Sequence, residues 1–371
     1  MDKDANQKHC LIVVISLDQL SFTRGCLESI EKNTKYPYKV LVIDNGSKQE
    51  TLNYLNEIKR SEKIDVIFNK DNLGWVKAVN QGLFYSDSFY VCVMNNDTIV
   101  YPGWLQQMVK GFRNDKAVGI VNPLWELPKK FKGSRDQYFK QIITKQKDEY
   151  VDTDWARGFC YLVKREVINA TGGLDYDFSP AYYDDWDFSL RATEKGYKCI
   201  RAKGAFVYHY KNVSYPEVLG EKGFNKIFKE KARIFHQKWG FPLKIFIIVG
   251  GKVPGEITIM QELAQKLLKA QDKIYIVSQA PIGIKHTNCL LKIKKNFISF
   301  WVTVFFTLLD NLRHSKIKRF NLIVSDKKGL IFNKFSFVKN NYDFIVLGPG
   351  QNLELGKIYK TIQSKKKYIS Q

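Results

Sequence analysis

The spacing of apolar positions changes several times along this chain, and the changes divide it. Residues 10–16, CLIVVIS, form an unbroken apolar run, which predicts a strand covered on both faces. Residues 21–33, SFTRGCLESIEKN, follow as a helix. The alternation repeats as strand 39–44 (KVLVID), helix 50–60 (ETLNYLNEIKR) and strand 64–68 (IDVIF). Asn72 then caps a helix over LGWVKAVNQGLFYS, and strand 89–94 (FYVCVM) ends in NND. Strands alternating with helices predict right-handed crossovers, a mostly parallel sheet and an α/β fold. Beyond residue 125 the rhythm breaks, and 128–149 (PKKFKGSRDQYFKQIITKQKDE) reads as a basic surface loop. WARGFCYLVKREVI (155–168) resumes as a strand running into a helix, and CIRAKGAFVYHY (199–210) leads to a helix at 221–240. A second alternation starts at 244, with strands at KIFIIVGG, KIYIVS, NLIVS and DFIVLGPG and a helix at GEITIMQELAQKLLKA. The expected organisation is a first domain of 1–240 and a small Rossmann-like unit over 241–371, bounded near WGFP (239–242).

Composition narrows the class. The 371 residues suffice for two domains of ~150 each. Hydrophobic residues make up 44% and charged residues 26%, a globular balance. Six cysteines stand apart with no CxxC pair, which argues against a zinc site or disulfide framework and for reduced thiols in the cytoplasm. The polar start MDKDANQKHC lacks the apolar core of a signal peptide. The longest apolar run, 297–309, falls short of the ~20 residues a membrane span needs. It predicts a buried helix or one lying in a membrane interface. Of the net charge of +22, most sits late: residues 241–371 carry 22 Lys+Arg against 7 Asp+Glu. Such a surface attracts anions, among them lipid headgroups, nucleotide-sugar phosphates and nucleic acid. No nucleic-acid-binding motif accompanies the charge, so the expected partners are a phosphorylated substrate and, peripherally, an anionic membrane at its inner face.

In an open parallel sheet, ligands bind beyond the carboxyl ends of the strands. Three polar groups fall there: Ser16 and Asp18 in SLD, Asp44 opening DNGS, and Asn95, Asn96 and Asp97 in NND. Each is also an ordinary turn sequence; the shared edge is what favours a site. Asp97 is the lone carboxylate of MNNDTI, and a divalent cation shares such oxygen ligands with substrate phosphates. His209 in FVYHY is the candidate to complete its shell. Against the basic background, YYDDWDFSLR gathers Asp184, Asp185 and Asp187 at a helix start. Asp184 is expected to cap it, and Asp187 to pair with Arg191 four residues on. Asp185 has no local partner and is placed to take a proton from a hydroxyl. Tyr182, Tyr183 and Trp186 are candidates to stack on a sugar ring.

Taken in order, LVIDNGS, NLGWVKAVNQGL, VMNNDTIV, RGFCYLVKREVINATGGLD, YYDDWDFSLRATEKGYKC and AFVYHY resemble the inverting family-2 glycosyltransferases of the GT-A fold. The likeness is to the bacterial rhamnosyl-, galactofuranosyl- and N-acetylhexosaminyl-transferase type and covers the first ~240 residues. It implies that Asp44 reads the base of a donor nucleotide, and that Asn72, Gly74 and Lys77 approach it. Ser16, Asp18, Asn95 and Asn96 would complete the donor site. Asp97, in the position of the family's DxD motif, and His209 would hold Mg²⁺ or Mn²⁺. Asp185 would be the catalytic base, with Tyr183, Asp184 and Trp186 on the acceptor side. Two departures stand out: an amide replaces the first DxD carboxylate, and SLD replaces the family's Thr-Tyr-Asn-like turn. The implied reaction is metal-dependent, inverting transfer from a UDP- or dTDP-sugar to a saccharide or lipid-linked hydroxyl, in cell-surface polysaccharide or glycoconjugate synthesis. Residues 241–371 lie outside the resemblance. Their opening is similar to the first strand and helix of a GT-B glycosyltransferase, which suggests a partial enzyme domain or a docking module. The alternatives are a sugar-nucleotide-binding protein of weak catalysis, because NND is a weakened metal motif, and a nucleotidyltransferase. The latter would carry a Gly-rich basic loop after strand one, and SLDQLSFTRG is not one.

Overall fold

The computed structural model describes residues 9–113, 115–128, 130–210, 215–239, 243–250, 254–269, 273–284, 289–293, 299, 302–304, 307–308, 322–326 and 343–347. The chain divides into two compact units, Met1–Phe235 and His236–Gln371. The division falls inside a helix, a few residues before the WGFP stretch. Phe235, the last residue of the first unit, packs on its Trp186 and Tyr183.

The first unit runs β1 (Cys10–Ser16), α1 (Leu20–Asn33), β2 (Tyr38–Asp44), α2 (Gln49–Ile58), β3 (Ile64–Phe68), α3 (Trp75–Leu83), β4 (Tyr90–Asn95), β5 (Thr98–Val100), α4 (Trp104–Gly111), β6 (Val118–Leu124), α5 (Arg135–Gln141), β7 (Tyr150–Thr153), β8 (Cys160–Lys164), α6 (Arg165–Thr171), α7 (Asp184–Glu194), β9 (Lys198–His209) and α8 (Tyr215–Trp239). Its sheet has the order β3-β2-β1-β4-β8-β6-β9-β5, with β7 also on β9. Strands β3, β2, β1 and β4 are parallel, β8 is antiparallel to β4 and β6, and β6 is parallel to β9. β1 is buried at every position, as its two-sided apolar run requires. α1 buries Thr23, Cys26, Leu27 and Ile30, one helical stripe, against the sheet. Register aligns the strand ends: Ser16 lies opposite Asp44, and Ile15 opposite Asn95. The polar ends of β1, β2 and β4 therefore share one edge.

Four local expectations change. Residues 128–149 are not all loop: α5 begins with a capping box, in which Ser134 Oγ accepts from Gln137 N–H (3.2 Å) and Gln137 Oε1 from Ser134 N–H (2.7 Å). The N-cap of α3 is Gly74, and Asn72 sits two residues earlier with its Oδ1 accepting the Gly74 N–H. The N-cap of α7 is Tyr183, so Asp184 is the first helical residue and not the cap. α8 starts at Tyr215 and breaks at Gly220 (φ 64°), one residue before the expected start.

The second unit holds β10 (Lys244–Val249), α9 (Pro254–Lys269), β11 (Lys273–Ser278), β12 (Cys289–Ile293), β13 (Leu322–Asp326) and β14 (Asp343–Leu347). These strands form a parallel sheet in the order β12-β11-β10-β13-β14. A core of Ile245, Ile247, Leu263, Leu267 and Ile276 joins α9 to it. The GPG end of the last predicted strand and most of the 297–309 apolar run lie outside the described residues. Among the described residues no helix is long and apolar enough to cross a membrane. The six cysteines are unpaired.

Candidate active site

At the β1–β2 edge, Asp44 is wholly buried. Its Oδ2 accepts the Ser47 N–H (3.2 Å), and its Oδ1 has no hydrogen-bond partner among the described residues. An orphaned buried carboxylate oxygen is an acceptor waiting for a donor from outside the chain. Asn45 braces the neighbouring turn: its Oδ1 accepts from Leu73 N–H and Asn69 Nδ2, and its Nδ2 donates to Asn72 Oδ1 at 2.9 Å. Gly74 has φ +82°, and a Cβ there would stand 2.8 Å from Pro180 Cβ and 2.9 Å from its Cα. Both the backbone sign and the space demand glycine. Lys77 is exposed on α3. Asp18 is spent locally, accepting the Lys48 N–H at 2.6 Å. Ser16 is fully buried against Thr23 Oγ1 (3.0 Å).

The second corner lies where β4 turns into β5. Asp97 is buried, and its Oδ1 is 3.1 Å from His209 Nε2. The Asn95 amide nitrogen is 3.3 Å from the same imidazole nitrogen. Pairing of β5 with β9 sets Thr98 opposite His209, and Tyr210 N–H donates to the Asp97 carbonyl. Asn96 points elsewhere, donating to Thr23 Oγ1 of α1 at 2.9 Å. The Asp97–His209 span fits a cation: two adjacent ligands with bonds of about 2.1 Å at right angles stand about 3 Å apart. Among the described residues no group of three His, Cys, Asp or Glu converges, so further ligands would come from Asn95, water or a bound phosphate.

The third corner is the start of α7. Two successive non-glycine residues, Tyr182 (φ 79°) and Tyr183 (φ 65°), are left-handed, a strain of about 1–3 kcal/mol each that clusters at functional sites. The three aspartates then diverge. Asp187, fully buried, accepts from Arg191 Nε at 2.7 Å. Asp184, 4% exposed, turns inward and accepts the Trp75 indole N–H at 3.0 Å. Asp185 is half-buried; its Oδ2 accepts the Gly158 N–H (2.8 Å) and its Oδ1 the Trp186 N–H (2.8 Å). Burial, and then the neighbouring Asp185, push the Asp184 carboxyl up to about 8. Burial also raises Asp185, opposed by the Gly158 N–H and the Arg157 guanidinium. Both carboxyls are thus pushed toward the protonated form, the inner Asp184 by its burial and by the charge of its neighbour.

One short segment joins the second and third corners. Gly158 N–H holds Asp185, and the next residue, Phe159, stacks its ring on His209 (4.8 Å, 14°) and accepts the Asn95 N–H. The structure thus brings Asp97, His209, Asn95 and Asp185 together around residues 158–159. It gathers Asp44, Asn72 and Gly74 at the neighbouring strand ends, while Asp184, Asn96 and Ser16 are committed inside the protein. The predicted sugar-stacking rings are engaged by protein aromatics: Trp186 by Trp155 (4.3 Å, 17°) and Phe235, Tyr183 by Phe228 and Phe235. Gly158, Phe159, Trp155 and Arg157 carry no periodic signal. Only the place of Arg157, Gly158 and Phe159 in the ordered stretch RGFCYLVK marked them, with Trp155 two residues before it.

Residues 11–171 match the family model described as Glycosyl transferase family 2. The chain is similar to an uncharacterized glycosyltransferase of Haemophilus influenzae, 31% identical over 117 residues, which are 31% of this chain and 36% of that protein. It is also similar to poly-β-1,6-N-acetyl-D-glucosamine synthase of Staphylococcus aureus, 28% identical over 120 residues, 30% of this chain and 29% of that protein. The chain spans about a quarter to a third of the length of the curated relatives it matches. Among solved structures, a mannosyltransferase of Pyrobaculum calidifontis in complex with GDP-Man and Mn²⁺ aligns with a TM-score of 0.46 at 18% identity, over 60% of this chain and 64% of that one.

Proposed function

Residues 11–171 being a family-2 glycosyltransferase domain, we propose that the first unit transfers a sugar from a nucleoside-diphosphate donor to a hydroxyl of a saccharide or lipid-linked acceptor, with inversion. The observation that carries this reading is the segment Gly158–Phe159, which ties the carboxylate of Asp185 to the Asp97–His209 pair. That tie supports one donor molecule meeting both the base and the leaving-group site. The unpartnered Asp44 oxygen supports a nucleoside contact at the β2 end, where a base or ribose N–H or O–H donates to it. The turn 72–74, stapled by Asn45, supports a backbone wall beside that nucleoside.

Asp97 and His209, with Asn95 beside them, would hold Mg²⁺ or Mn²⁺, which when bound neutralises charge on the departing diphosphate. The chain's own part is a single proton transfer. Asp185 takes the acceptor's hydroxyl proton while the oxygen attacks the anomeric carbon from the face opposite the diphosphate. Its two backbone N–H contacts fix the carboxylate and, with the Arg157 guanidinium, oppose the rise that burial imposes on it. Asp184, pushed up to about 8 by burial and by Asp185, favours its neutral form beside it. One in-line displacement inverts the anomeric centre and needs no carboxylate nucleophile.

The test is Asp185→Asn. Transfer should fall by at least 10³, with donor Kd by calorimetry within about threefold of wild type, because only the proton acceptor is lost. Wild-type turnover in this variant refutes the assignment. The basic composition of 241–371 fits a docking role against an anionic membrane or the acceptor's lipid carrier.

A further inference from the structure

Two arginines beside the acidic helix have no hydrogen-bond or ion-pair partner for their side chains among the described residues. Arg157 precedes β8, and Arg201 lies on β9 opposite Asn122 of β6 and Val151 of β7. Both guanidinium groups lean on Trp125, at 5.7 and 4.6 Å from its ring centroid, and Arg157 also covers Trp155 at 4.0 Å. Neither is hydrogen-bonded or ion-paired by its side chain to any described residue, and Arg201 Nε is buried with no acceptor. Three carboxylates influence the pair without an ion pair to it among the described residues: Asp185, Asp154 and Glu126 act on Arg157, and Asp154 and Glu126 on Arg201. Asp185 is already taken by two backbone N–H groups, and Glu126 accepts from the Trp125 indole at 2.8 Å. Burial lowers both guanidinium groups from their ordinary value, and Arg157 lowers Arg201 further, against the opposing pull of Asp154 and Glu126.

Guanidinium groups donate and never accept, so what completes this pair must offer oxygen lone pairs, as an oxyanion does. Position ties the pair to Asp185: Arg157 adjoins Gly158, whose N–H holds that carboxylate, while Asp44, the nucleoside contact, ends β2, and Arg201 lies on β9, beyond β8 in the sheet order. We propose that Arg157 and Arg201 form an acceptor subsite for an oxyanion, so that the acceptor carries a phosphate or carboxylate next to the hydroxyl presented to Asp185. The word acceptor rests on the glycosyl-transfer reading; the oxyanion site itself does not.

Calorimetry on the full chain without donor tests it, using glycerol 3-phosphate and glucuronic acid as oxyanion probes and methyl β-glucoside as the neutral one. An oxyanion probe should bind and the neutral sugar should not, and the tighter of the two oxyanions tells phosphate from carboxylate. Arg201→Gln and Arg157→Gln should each weaken binding at least tenfold, while Glu126→Gln, an exposed change that cannot unfold the core, should tighten it two- to threefold. UDP with Mn²⁺ should leave probe binding in place. Equal binding of the neutral sugar, unchanged affinity in Arg201→Gln, no tightening in Glu126→Gln, one-for-one competition by UDP, or no probe binding at all overturns the inference. A chain that hydrolyses no nucleoside-diphosphate sugar overturns the transferase reading instead, and leaves the probe titrations readable.

Discussion

The sharpest consequence of the acidic helix concerns stability and not turnover. Asp184 is buried beneath Trp75, with its carboxyl pushed up to about 8 from 3.8 by burial and by Asp185. In the unfolded chain it ionises near 4, so between about pH 4 and 8 the unfolded state binds fewer protons than the folded one. Stability then falls as pH rises, by up to about 1.4 kcal/mol per pH unit. Below pH 4 both states are protonated and the full stability is present; above 8 the loss is complete. Between pH 6.0 and 7.5 the expected loss from this group alone is about 2 kcal/mol, an upper figure because the pair with Asp185 titrates jointly. Asp184→Asn removes the titration while keeping an oxygen for the Trp75 indole. Urea unfolding followed by tryptophan fluorescence at a series of pH values should show wild type losing stability over this window and the variant losing about 2 kcal/mol less. The variant should overtake wild type at the alkaline end. Parallel curves for the two proteins, offset by a constant amount, would refute the claim that Asp184 carries a proton.

Other outcomes follow from the remaining corners. Asp97→Ala or His209→Ala should weaken metal-dependent donor binding at least tenfold by calorimetry, and EDTA should abolish it in wild type; full donor affinity in EDTA contradicts the cation role. Turnover should rise with pH through an apparent pKa above the ordinary carboxylate range, since the raised Asp185 must be ionised to accept a proton; a flat profile down to pH 4 refutes its environment. Gly74→Ala should cost about 2–4 kcal/mol in unfolding free energy, from the positive φ together with a Cβ driven into Pro180; a loss below 0.5 kcal/mol would show that the turn relaxes freely.

The parallel strands were legible because burial on both faces leaves unbroken apolar runs, as in CLIVVIS and KIYIVS. The elements between residues 98 and 150 were not. β5 is three residues long, β6 contains Pro123, and the Ser134–Gln137 capping box sits inside a stretch whose lysines suggest solvent. At the site, chemistry-bearing residues could be named from order and type, but not their directions. A left-handed Tyr183 displaces the helix start by one residue and turns Asp184, not Asp185, into the core. Nor does any spacing announce that Gly158 reaches Asp185, or that Arg157 and Arg201 each lean on Trp125, because these contacts cross 27 or more positions with no period to read.

The peptide of Gly158 and the ring of Phe159 have an implication for how this protein tolerates change. A single backbone shift there moves the Asp185 carboxylate and the His209 imidazole in concert. Substitutions along 157–160 would be felt in catalysis and in donor grip at once, and a lineage altering either would be obliged to alter both.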